Sequence, residues 1–492
     1  MKIYRRWAAI CLLFVFALFV SAQSVSEKLA DRANQETPMI EDLRELCDTI
    51  GGRPTGSAAC EKSIEWAAAK FKEIGVDSVK TESFTVPNLW LAESAEAFCI
   101  APEQFPVRLV SSPYSPSTAS KDFITAKLVD AGEGRTEDFA RLGEKAKGAI
   151  VLVRSNEMKT LEDLFVEYFR NKPLLENAKK AGAAVLLLQS TRPRGLLYRH
   201  PVTFGEKFAP LPVATVSREH AARLVRLVET GRDVQLRLKL ANKTAGAYQS
   251  RNVVAEIRGS EKPSEVVLIG AHLDSWDLGT GANDNGVNSA LVIDAARAIK
   301  QLGVKPRRTI RFVLFTGEEQ GMWGSAGYVK THAAELDNHT AVSIFDIGSG
   351  KITGFFLNGR EELRGPVEKI LSAVDSLGTF ENPIDGIDGT DNFDFLLSGV
   401  PNLVANQDAA PYLPDYHAES DVFEMVDQAQ ARKNAAIAAV LTWGLADMPE
   451  RLAARQSRQE VEKLLLDTKL DEQMKAFNQW EMWTSGTRGV NR

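Results

Sequence analysis

Between residues 252 and 448, short apolar runs alternate with longer stretches in which apolar positions recur every three or four residues. The runs 252–258, 265–272, 309–316, 340–346 and 402–405 read as strands, and 287–302, 323–332, 362–377 and 428–446 as helices. VVLIGAH and IRFVLFTG are almost continuously apolar, as expected of strands buried on both faces. Such alternation predicts an α/β unit with a largely parallel sheet between helical layers. Upstream, residues 63–74 have helical spacing with Gly75 as a stop, and residues 78–86 alternate like an edge strand. The turn-rich loop GGRPTGS, 51–57, precedes them.

From 107 to 246 the pattern changes. β-like runs fall at 124–129, 149–153, 184–189 and 234–240, with helical patterns at 174–181 and 218–229. This region reads as an independent, inserted β-rich domain. The expected organisation is a signal peptide at 1–22, the first part of the main unit at 23–106, the insertion at 107–246, the catalytic unit at 247–450 and a helical tail at 451–492. The tail is charged and amphipathic, and 484–492 is expected to be frayed. His200 and His220 have no partner at ligand spacing and are expected at the surface, as are His332 and His339, in a helix and the loop after it.

At 492 residues the chain is long enough for two or three domains, and its net charge of −6 is spread along it. Nothing resembles the basic footprint of a nucleic-acid binder. Arg5 and Arg6 precede an apolar run at 8–20, followed by Ser21-Ala22-Gln23. This is the pattern of a secretory signal, so a secreted or periplasmic protein without a membrane span is expected. A membrane anchor is the alternative, although the run is shorter than the roughly 18–20 residues of a spanning helix. Once Cys11 leaves with the signal, Cys47, Cys60 and Cys99 remain, too few for a disulfide scaffold. A Cys47–Cys60 bridge stays open.

The chemistry-bearing residues gather in the α/β unit. His272 ends a buried strand, and ligands bind just beyond such ends in open α/β sheets. Asp274 points the same way and can accept the other ring N–H of His272, fixing its tautomer. Asp284 lies in GANDNG, 281–286, where a rigid carboxylate can touch two metals; the same residues also suit an ordinary tight turn. Glu318 and Glu319 are adjacent, so their side chains diverge, and one can ligate while the other takes a proton from water. Asp346 follows another strand end, and His417 sits in the polar loop PDYHAESD, 414–421. Together these side chains can hold two divalent metals beside a free carboxylate, which suits hydrolysis. GSGKI, 348–352, lacks the Gly and Ser/Thr of a phosphate loop, and WGSAG, 323–327, lacks the first Gly of a nucleophile elbow.

GAHLDSWDLGTGANDNG, FTGEEQG, FDIGSG and PDYHAESD resemble the di-zinc exopeptidases related to bacterial leucyl aminopeptidase. HLDSWD, GTDNFDFLLSGVP (389–401) and GGRPTGS are similar to a carboxypeptidase subgroup of that family, and the likeness spans residues 43–448. It implies a mostly parallel mixed sheet sandwiched by helices, with a protease-associated domain inserted in it. It implies two zinc ions bridged by Asp284, with His272 and Asp346 completing one site and Glu319 and His417 the other. Glu318 would then be the general base, Asp421 a supporting acid, and the 284–285 peptide bond cis. Asn285 stands where many relatives have Asp, and Asn288 where many have Gly. Tyr416 is a candidate for holding the oxyanion, and Asp391 either for contacting a substrate terminus or for supporting its loop. The implied reaction is hydrolysis near a free end of short peptides or dipeptides, with the end left open. Two readings stand beside it: a glutaminyl cyclase-like transferase, which uses one zinc, and a transferrin-receptor-like binding ectodomain, which loses the ligands. A homodimer is also left open.

Overall fold

The apolar runs of the 252–448 region form most of a seven-stranded sheet in the order Ser78–Val86, Tyr248–Ile257, Arg308–Phe315, Lys262–His272, His339–Ile344, Asn402–Gln407, Ile352–Phe356. The computed structural model describes residues 23–490, so the expected signal peptide lies outside the described residues. Four central strands run parallel and the outer pairings are antiparallel. Side chains alternate across the pleat. Val267, Ile269 and Ala271 therefore enter a large core with Ala58–Ile74, Val287–Gln301 and Gln428–Asp447, while Leu268 packs on the other face with Tyr328, Val329 and Phe395. Gly75 ends its helix in the left-handed conformation that glycine adopts readily (φ 76°). Among the described residues, no helix is long and apolar enough to cross a membrane.

The rest of the strand content forms an eight-stranded sheet that leaves and rejoins the first between two hydrogen-bonded neighbours, Ser78–Val86 and Tyr248–Ile257. It starts earlier than the expected boundary at 107. Leu89–Ala101 pairs along its length with Gln235–Ala245. The sequence hides this strand because two register shifts break its alternation, leaving Ala and Glu at irregular positions. Nor is this unit simply β-rich. Ile124–Asp130, Ile150–Val153, Val185–Gln189 and Val213–Val216 run parallel, and helices such as Thr136–Leu142 and Asn171–Lys180 lie between them in the chain.

The expected frayed end is instead anchored. Arg488 donates to both oxygens of the buried Asp394 at 2.8 Å, the Val490 N–H donates to Ser398 Oγ, and Trp483 is fully buried. Every partner is about 90 residues away in sequence, so local pattern carries no trace of them. Residues 491–492 lie outside the described residues. Cys47, Cys60 and Cys99 are buried free thiols, so the Cys47–Cys60 bridge is not formed.

Three histidines expected at the surface, His200, His332 and His339, are buried. His332 stacks on Tyr328 and faces Glu82 and Glu335. His339 places Nδ1 3.1 Å from the Glu335 carbonyl, which can only accept, so Nε2 accepts from the Tyr328 hydroxyl at 2.9 Å. The neutral ring is satisfied, and burial holds its pKa down at about 4. An unfolded histidine titrates near 6.5. The unfolded chain therefore binds more protons between these values, and the stabilisation present above pH 6.5 is lost as pH falls toward 4. In urea unfolding of chelator-treated protein, the stability deficit of His339→Gln relative to wild type should shrink by about 2 kcal/mol between pH 7 and 4.5. A pH-independent deficit would contradict this account.

Candidate metal centre

All the chemistry-bearing residues converge at the C-terminal edge of the parallel strands, where open α/β sheets bind ligands. His272 ends its strand, Glu318 and Glu319 follow Arg308–Phe315, and Asp346 lies two residues beyond His339–Ile344. Asp284 sits in the turn Ala282–Gly286 before the helix Val287–Gln301, and its peptide bond to Asn285 is cis, as the resemblance implies. His417 comes from the loop after Asn402–Gln407 with a left-handed φ of 58°, uncommon for a side chain other than glycine.

Two buried donor sets result: His272, Asp284 and Asp346, and Asp284, Glu319 and His417, each with ligand atoms within 4.8 Å of one another. His272 Nε2 lies 3.2 Å from Asp284 Oδ1 and 2.9 Å from Asp346 Oδ1. His417 Nε2 lies 3.3 Å from Asp284 Oδ2 and 2.8 Å from Glu319 Oε2. Asp284 thus turns one oxygen toward each histidine. Both Nδ1 atoms face backbone carbonyls, Asp274 at 2.9 Å for His272 and Arg199 at 2.8 Å for His417. A carbonyl only accepts, so each Nδ1 carries a proton and each Nε2 is the ring atom left to face the carboxylates and to bind a cation. Asp284 Oδ2 and Glu319 Oε1 are buried without a hydrogen-bond partner. Ring nitrogens and unpaired carboxylate oxygens facing one another are a donor set for cations, and imidazole with carboxylate suits zinc.

Electrostatics agree. Burial raises the pKa of Glu318, Glu319 and Asp346, and in each case other carboxylates add to it. Burial acts the same way on Asp284, but His272 and His417 outweigh it and hold that carboxyl low. For His272, burial disfavours the cation, yet Asp346, Asp274 and Asp284 drive its pKa well up; His417, where burial wins, is held at about 4.

Asp274 plays a different part from the one expected. Its backbone oxygen, not its carboxylate, meets the His272 ring; the carboxylate stands 3.7 Å from Nδ1. The chain turns after the strand, and the carboxylate instead accepts from Thr55 Oγ1 at 2.7 Å and faces the Glu318 N–H. Thr55 also accepts from the Gly317 N–H, so GGRPTGS ties the His272 loop to the Glu318 loop. Asp421 accepts from the N–H groups of Asn283 and Asp284 at 2.7 and 3.1 Å, and burial and the Asp284 charge push its own pKa up to about 8.

Other residues at the site escaped the sequence reading. Arg53 is wholly buried and donates to the carbonyls of Leu273, Thr280 and Gly281, pinning both ends of the loop between His272 and Asp284. The only sequence signal for it was a lone Arg among turn formers. Arg199, from the second unit, braces His417 through its own N–H and carbonyl and pairs with Asp277. His200 beside it is buried 5.5 Å from the His417 ring and 3.1 Å from Glu167.

The centre opens into a cavity of about 210 Å³ lined by Glu318, Tyr412, Tyr416 and several apolar residues of the second unit. Tyr416 stacks on His417, and its hydroxyl lies 3.1 Å from that of Tyr168. Asp391 is completely buried and does not line the cavity; Asp388, three residues earlier, does, and burial raises its pKa to about 7.

This fold and site define a peptidase, and the chain belongs to peptidase family M28. The model of that family matches residues 252–442. Carboxypeptidase Q of Bos taurus is 31% identical over 414 residues, covering 84% of this chain and 86% of the bovine protein. Aminopeptidase YwaD of Bacillus subtilis is 28% identical over 60% of this chain and 57% of its own. Among solved structures, the peptidase M28 precursor of Shewanella amazonensis superposes with a TM-score of 0.79 at 28% identity, covering 88% of this chain and 98% of that one. A zinc aminopeptidase of Bacillus subtilis shares the fold, with a TM-score of 0.66 at 20% identity over 86% of this chain and 98% of its own.

Proposed function

We propose that this protein is an exported di-zinc exopeptidase that hydrolyses short peptides next to a free end. The observation that carries it is the geometry of Asp284, which offers one oxygen to each of two donor sets while Glu318 stays outside both. His272 and Asp346 would hold one zinc, Glu319 and His417 the other, with Asp284 shared. Bound there, zinc would lower the pKa of a water and polarise the scissile carbonyl.

The remaining work falls to the chain itself. Glu318, on the cavity wall with a raised pKa, accepts the proton of the attacking water and passes it to the leaving amine. Tyr416 is placed beside His417 to donate toward the oxyanion. Among the described residues lining the cavity there are carboxylates and no Lys or Arg, which favours an unblocked amino end over a terminal carboxylate. The likeness to carboxypeptidase Q and to aminopeptidases supports peptide substrates, and the arginine pair and apolar run at the N-terminus support export to the periplasm or the medium.

The test is a hydrolysis profile over free, N-acetylated and C-amidated dipeptides and tripeptides, with and without chelator. Cleavage of free and C-amidated peptides, loss on N-acetylation and on chelation, and recovery on adding zinc are expected. Cleavage that survives complete metal removal rules the proposal out.

A further inference from the structure

Beside the catalytic cavity lies a second one, of about 300 Å³. Tyr168, Phe204 and Phe477 line both. Their rings form a contiguous group, with centroids 5.7 Å apart for Tyr168–Phe204, 6.1 Å for Tyr168–Phe477 and 5.2 Å for Phe204–Phe477. Beyond them the second cavity carries side chains of both charges, with Lys172, Glu176, Glu206 and Lys207 among its walls. A wall of three aromatic side chains thus stands between a largely apolar chamber at the candidate metal centre and a second chamber edged by charged groups.

Neither side of this wall belongs to the catalytic sheet. Tyr168 lies in the last turn of the helix Leu161–Phe169 of the second unit, and Phe204 lies in a loop of that unit. Phe477 comes from the C-terminal tail, outside the residues matched to the family model. The tail is held in place on both sides of it. Trp483 and Arg488 fix it to the helix Asn392–Leu397, and Lys172 donates to Asn478 at 3.0 Å. Gln479, with its amide nitrogen turned to the acid, donates to both oxygens of Asp388 at 3.2 and 3.0 Å on the cavity wall.

We infer that Phe477, with Phe204 and Tyr168, sets the length of peptide the enzyme accepts. This rests on the proposal that the first cavity receives the peptide. Short substrates fit wholly between the metal centre and the wall. A longer chain collides with the rings, and removing Phe477 joins the two chambers and gives it a path. The tail is therefore a specificity element of the site.

The experiment measures kcat/KM for unblocked alanine peptides of two to five residues with wild type, Phe477→Ala, Phe477→Leu and Phe204→Ala. In wild type, kcat/KM should fall about tenfold or more at one added residue, the scale on which fit to an apolar pocket discriminates. Relative to the dipeptide, that step should shrink in Phe477→Ala and Phe204→Ala, and partly in Phe477→Leu. Phe204→Ala approaches the wall from the opposite side and carries the test if the tail variants do not fold. Dipeptide turnover with an unchanged length profile overturns the wall while leaving the peptidase reading intact. Absence of any peptide hydrolysis by the zinc-loaded wild type overturns that reading and the wall with it.

Discussion

Glu318→Gln is expected to retain the full zinc complement and lose about 10²–10⁴-fold in kcat, the usual contribution of a positioned general base. Glu318 and Glu319 are neighbours in sequence but part company in space. Glu319 Oε2 lies 2.8 Å from His417 Nε2, inside a donor set, whereas the nearest approach of Glu318 to an imidazole of either donor set is 3.9 Å, at His272. Burial, opposed by His272 and reinforced by Asp346 and Asp391, raises the basicity of Glu318. Gln keeps the shape and hydrogen-bonding reach of Glu but cannot take up a proton. Zinc content by elemental analysis, read alongside kcat, separates the outcomes. Near-wild-type turnover would remove Glu318 as the base, and loss of zinc would place it among the ligands.

Asp284→Ala should have the other large effect, loss of both zinc ions and a fall in activity of at least about 10³-fold, since bound metal supplies several kcal/mol of transition-state stabilisation. The reason is that its two oxygens serve different sets, one 3.2 Å from His272 Nε2 and the other 3.3 Å from His417 Nε2. His417→Ala damages only the set with Glu319 and should lower zinc content by one ion, leaving His272, Asp284 and Asp346. The contrast in stoichiometry between these variants is the diagnostic. Asp284→Ala protein that still carries two ions would end the bridging assignment. Circular dichroism of the metal-free variants checks that the α/β fold persists; its core lies in the packed sheet and helices rather than at the cluster.

The chain's own pattern determined a good deal here. Buried strands such as 265–272 and 309–316 announce themselves because burial on both faces demands unbroken apolar runs, and the helices between them because one face must meet the sheet. That His272, Asp284, Glu319, Asp346 and His417 would gather at one place was legible because strand ends and the turns beyond a parallel sheet are where open α/β folds bind ligands. Contacts between distant segments were not. Arg53 reaches carbonyls more than 200 residues away, Arg199 of the second unit orients His417, and the burial of His200 and His332 draws on His417 and Glu82, each more than 200 residues away. Asp274 was placed correctly beside His272 but misread in role, because the direction of one turn decides whether a carboxylate or a carbonyl meets the ring. The tail shows the limit most clearly: its helical periodicity is local and visible, whereas its grip on Asp394 and its place in the wall of the cavity depend on a fold that brings residue 477 against residues 168 and 204. Periodicity is a property of neighbours along the chain, and enclosure is a property of neighbours in space.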